Sequence, residues 1–110
     1  MNSETLLLIK SKKLLELLKK YDPAKVHFQT DVLMKFLKEE EGNVFRIDGS
    51  TLSKPFFDLK TLFFDVRTSI VSISHNATIS RDQLIRRINT FRRLIVEIDQ
   101  AAKINESELF

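Results

Sequence analysis

Cysteine and tryptophan are absent from this chain of 110 residues, and glycine and proline occur only twice each. Without cysteine there is no disulfide framework, no thiolate metal site and no thiol nucleophile. With so few chain breakers, turns must be few, which favours long helices over many short strands. Long apolar runs are missing too. Residues 6–9 form the longest one near the start, too short for the apolar core of a secretory signal. No stretch approaches the ~20 apolar residues of a membrane-spanning helix. The expected location is therefore cytoplasmic. Excess charge of either sign is small, with 18 Lys and Arg against 15 Asp and Glu, a net charge of +3. A dense basic face of the kind that marks nucleic-acid binders is not demanded by that balance.

Patterns that carry catalysis are also lacking. Neither glycine belongs to a phosphate-cradling or dinucleotide loop. His27 and His75 have no second histidine or carboxylate at zinc-binding spacing, and neither is followed by the Lys and Gly that accompany a phosphoryl-accepting histidine. Asp58 and Asp65 share a helical face but lie about 10 Å apart along its axis, long for an acid–base pair, and the Glu-x-x-His of helix-borne metal sites is absent. No serine sits in a nucleophile elbow. The expectation is a protein without enzymatic activity, metal or cofactor.

What is present is apolar periodicity along nearly the whole chain. Size and pattern predict one domain, an all-α antiparallel four-helix bundle. The first helix spans about residues 3–21, with Leu7, Leu14, Leu18 and Tyr21 inward and Lys10, Lys12, Lys13, Lys19 and Lys20 outward. The second starts at Asp22-Pro23 or at Thr30-Asp31 and ends near Glu41, before a Gly42-Asn43 cap; residues 23–41 are its fuller extent. Residues 43–53 read as a short β-hairpin turning on Asp48-Gly49, or as an irregular loop. The third helix, residues 53–74, carries Phe56, Leu59, Phe63, Val66, Ile70 and Ile73 at alternating spacings of three and four. The fourth, residues 81–105, opens on a Ser80/Gln83 capping box and an Ile79/Leu84 staple. Its seam is Leu84, Ile88, Phe91, Ile95, Ile98 and Ala102, followed by a frayed tail at 106–110.

Two surface features stand out. On the third helix a second apolar ridge, Phe57, Phe64 and Val71, repeats every seven residues about 100° around from the core seam, with Lys60 and Arg67 between the two rows. Either another helix of the same chain covers this ridge, or it is a partner interface with Phe57 and Phe64 as anchors and Lys60 and Arg67 as rim charges. The second feature is basic: Arg86, Arg87, Arg92 and Arg93 on the fourth helix, and Lys12 and Lys13 on the first, are candidates for binding phosphates. Glu97, four residues after Arg93, can neutralise it, and the twin arginines spread around the helix.

The expected function is a protein–protein interaction or regulatory domain, with the ridge of the third helix serving another protein or a second copy. The alternative is binding of nucleic acid or an anionic surface through the arginine row or the lysine face. A third reading, an immunity-type bundle that shields a host from a peptide toxin, rests on analogy of fold alone.

Overall fold

A computed structural model describes residues 2–75 and 80–109, with side chains through Lys103. The staple expected between Ile79 and Leu84 lies partly outside the described residues. The described residues form four α-helices and one 3₁₀ turn, and no strand. Helix α1 (Ser3–Lys20) is capped by Asn2, whose side-chain oxygen accepts from the Thr5 amide at 2.7 Å. Its inner face is Leu7, Ser11, Leu14, Leu15 and Leu18, one stripe of a 3.6-residue helix.

The second helix departs from expectation at both ends. Asp22-Pro23 forms a tight turn instead of a helix start: the Asp22 carboxylate accepts from the Ala24 amide at 2.8 Å, and Pro23 is buried. A helix through 24–29 would have little to bury, since Val26 is 83% exposed and His27 is exposed. Helix α2 therefore begins at the next start signal and spans Asp31–Phe45. It runs straight through Gly42-Asn43, because Val44, fully buried, supplies the next apolar residue of the inner stripe after Leu33 and Leu37.

The hairpin is replaced by a helical turn for a related reason. Val44 and Ile47 both point into the core while Phe45 is exposed. That is a spacing of three, where a strand needs two. Asp48 then caps a short 3₁₀ helix (Gly49–Thr51), accepting from the Ser50 amide at 3.0 Å and the Ser50 hydroxyl at 2.8 Å.

Helix α3 (Lys54–Ser74) buries Leu59, Phe63, Val66, Ser69 and Ile70. Ser53 precedes it but turns its hydroxyl away from the helix: its amide and hydroxyl donate to one oxygen of Glu4, at 2.9 and 2.7 Å. Helix α4 (Arg81–Leu109) begins at Ser80, whose hydroxyl accepts from the Gln83 amide at 3.2 Å. It buries Leu84, Ile88, Phe91, Ile95 and Ile98, and it continues to Leu109, into the tail expected to fray, of which Phe110 lies outside the described residues.

Cross-links between helices set the topology. Phe63 meets Phe91 edge-on at 6.3 Å, Lys12 pairs with Asp99, Arg67 with Glu41 and Lys10 with Glu40. Lys60 meets Ile47 and Arg67 meets Glu41, and Phe63 meets Phe91 and Ser69 meets Arg87, so partner numbers fall as α3 advances and α3 runs antiparallel to both α2 and α4. Glu4 and Ser53 bring the starts of α1 and α3 together, so those two run parallel. The order is up-down-up-down. Helices α1 and α3 each touch all three others, while α2 and α4 flank that central pair on opposite sides.

Candidate interaction surface

The face shared by α2 and α3 holds the second ridge. Helix α3 contributes residues 57, 60, 64, 67 and 71, and because α2 runs the other way, residues 45, 41, 38 and 34 lie alongside in reverse order. Phe64 is half-buried, edge-on to Phe63 at 5.8 Å on the core side and to Phe45 at 6.0 Å on the outside. Phe45 is 70% exposed and Phe57 50% exposed. Phe57 lies against the 3₁₀ turn, where a Cβ added at Gly49 would sit 3.1 Å from its ring. One turn beyond Phe64, the Arg67 guanidinium pairs with Glu41 at 2.8 Å, and its Nε is buried without an acceptor. Val71 lines a cleft of about 390 Å³ with Met34, Lys35, Leu37, Lys38, Glu41 and Arg67. Lys60 reaches back to donate to the Ile47 carbonyl at 2.6 Å, tying α3 to the end of α2. The three ridge residues and the two rim cations, Lys60 and Arg67, thus lie on one face. Helix α2 and the 3₁₀ turn cover part of it, and two aromatic rings remain in solvent.

Sequence reasoning missed Phe45, Met34, Lys35 and Lys38 as members of this face. The signal was there once the helix is carried past Gly42: residues 34, 38, 41 and 45 fall at spacings of four, three and four.

The basic residues divide. Arg87 is turned inward, donating to the Ser69 hydroxyl at 2.5 Å and the Asp65 carbonyl at 3.3 Å. Arg81 donates to the Lys25 carbonyl at 3.0 Å, and Arg86 to the Asp82 carbonyl of its own helix. Lys12 is held by Asp99 at 2.9 Å. Lys13, Arg92 and Arg93 are exposed, and Arg93 forms no ion pair with Glu97. The six candidates therefore do not make one continuous row: Arg86, Arg87 and Lys12 hold partners within the fold, which leaves Lys13 on α1 and Arg92 and Arg93 on α4.

A larger groove, about 760 Å³, lies where α3 begins. Leu8 and Ile9 of α1, Phe56 of α3, and Leu94 and Ile98 of α4 supply its apolar walls. Its rim charges are mostly used internally: Lys12 by Asp99, Lys54 by Asp58, Glu4 by Ser53.

Two carboxyls are held below the usual carboxylate range. For Glu40 the main cause is the hydrogen bond from the Lys10 ammonium, with Asn43 adding a second donor against an opposing effect of burial. For Asp48 it is the Ser50 amide, then the Ser50 hydroxyl. Both act as structural anchors, as a helix-to-helix tie and a turn cap. Among the described residues no three His, Asp or Glu side chains converge to hold a metal ion, and no helix is long and apolar enough to cross a membrane. No protein-family model, curated protein or solved structure matches this chain.

Proposed function

We propose that this chain is a non-catalytic protein–protein interaction domain whose docking surface is the α2–α3 face. One observation carries the reading: Phe45 and Phe57 are two large aromatic rings left substantially in water on one face, Phe45 edge-on to Phe64, which packs on the core, and Phe57 two turns before Phe64 on the same ridge of α3. Single exposed apolar residues are ordinary, but clustered aromatics on a bundle face are what interfaces use as anchors. The anion-binding alternative has less support, since Arg87 and Lys12 are already spent on partners within the fold.

A photo-crosslinking amino acid placed at position 57 and, as a control, at the exposed Val96 position of α4 tests the proposal in the native cell. Protein adducts are expected at 57, lost on Phe45→Ser, and absent at 96. Equal yields at both positions, or adducts at 57 that ignore Phe45→Ser, would remove the α2–α3 face from consideration. Crosslinks to nucleic acid would favour the alternative.

A further inference from the structure

The α2–α3 cleft carries charge as well as apolar surface, and that charge says what fits it. Its lining has three cations, Lys35, Lys38 and Arg67, and one anion, Glu41. Glu41 is consumed by Arg67. Among the described residues neither Lys35 nor Lys38 forms an ion pair: Asp31 and Glu39, each four residues from Lys35, leave it unpaired. Lys60, one turn from Phe64, gives its hydrogen bond to a neutral carbonyl and forms no ion pair among the described residues, while acting electrostatically on Asp48. The aromatic patch begins one helical turn further along, so cations and rings form one strip. From Phe57 to Val71 it runs about 21 Å at 1.5 Å per helical residue.

Resting on the reading of this face as a docking surface, we infer that its occupant is an acidic amphipathic helix of another protein. Its apolar residues lie on Phe45, Phe57 and Phe64, and its carboxylates lie against Lys35 and Lys38. A strip of this length accepts a helix of about fourteen residues, the helix-in-groove mode of recognition. A second copy of the chain fits poorly. A two-fold interface puts the same patch against itself, which brings two net-cationic clefts together, and like charges across an interface are costly. Area points the same way: two partly exposed phenylalanines offer far less than the ~800 Å² per partner of a standard stable interface, whereas an anchored helix with flanking charges needs less.

The test uses the full chain and two fluorescent fourteen-residue helical peptides. They share leucine and phenylalanine at helical spacings of three and four, and differ only in carrying glutamate or lysine at the flanking positions. Anisotropy titrations should show the glutamate peptide binding at least tenfold tighter than the lysine peptide, with the gap narrowing as salt rises. Lys35→Glu with Lys38→Glu should reverse the preference, and Lys35→Gln with Lys38→Gln should erase it. Both pairs replace exposed side chains without ion-pair partners, so the fold should hold by circular dichroism. Light scattering of the free chain should give a monomer. Equal binding of the two peptides, a preference that survives charge reversal, a dimer lost on Phe57→Ser, or no binding of either peptide would overturn the acidic partner. If both peptides bind alike and lose binding on Phe45→Ser with Phe57→Ser, the docking surface stands and only its charge selectivity fails.

Discussion

Among the described residues, Ser11 and Ser69 are the two fully buried polar residues of the core, and they are treated differently. Ser69 is satisfied twice, donating to the Asp65 carbonyl and accepting from Arg87. The Ser11 hydroxyl has no partner. A buried hydroxyl without one costs about 1–3 kcal/mol, so Ser11→Ala should raise stability by about 1 kcal/mol in urea unfolding; a loss would show that the hydroxyl is satisfied in solution. Glu40 makes the corresponding statement about charge. Its carboxyl is depressed in the fold, so its stabilising effect is complete above the unfolded value of about 4.3 and disappears as pH falls through the lower folded value. Unfolding midpoints followed from about pH 5 to about pH 3 should decline in the parent chain. In Lys10→Met, which removes the ammonium that causes most of the depression, the decline should be shallower. Parallel curves would place the acid sensitivity elsewhere.

At the scale of the helix, what could be read from the chain depended on whether apolar spacing and local punctuation agreed. They agree in α3 and α4, where Leu59, Phe63, Val66 and Ile70, and Leu84, Ile88, Phe91 and Ile95, all prove buried. They disagree in α2. Gly42-Asn43 is a stop signal and Val44 a continuation signal, and burial of Val44 wins because the tertiary gain exceeds a glycine's local cost of about 1 kcal/mol. That one conflict also hid part of the candidate surface, since Phe45 joins the ridge only if α2 reaches it. The ridge residues of α3 were legible from their sevenfold repeat, but their degree of cover was not, because cover depends on where α2 ends. Gly42 itself has open space where a Cβ would sit and no left-handed backbone. Gly42→Ala should therefore stabilise the protein by about 0.5–1 kcal/mol, read from thermal unfolding. Destabilisation would mean that the α2 terminus needs glycine.

For the molecule as a whole, the up-down-up-down order puts two unlike recesses in different parts of one bundle. The larger, at the start of α3, is rimmed mostly by charges with partners inside the fold, Glu97 excepted, and the smaller, between α2 and α3, keeps two lysines unanswered. The difference follows from neighbours: α1 and α4 supply both signs to the first, while the second draws on α2 and α3 alone. The larger volume thus goes with the less demanding rim, and the smaller recess is the one whose charges call for an outside partner.

The carboxylate of Glu4 touches Ser53 across a separation of 49 residues. Closing so long a loop carries an entropy cost that is repaid only after α1 and α2 have already paired. The link should therefore form late, after the rate-limiting barrier has been crossed. Glu4→Gln is expected to leave the refolding limb of the chevron where it is and to raise the unfolding limb; slowed refolding would place this clasp in the nucleus. If it does form late, Glu4 governs how long the folded state lasts and not how fast it is reached.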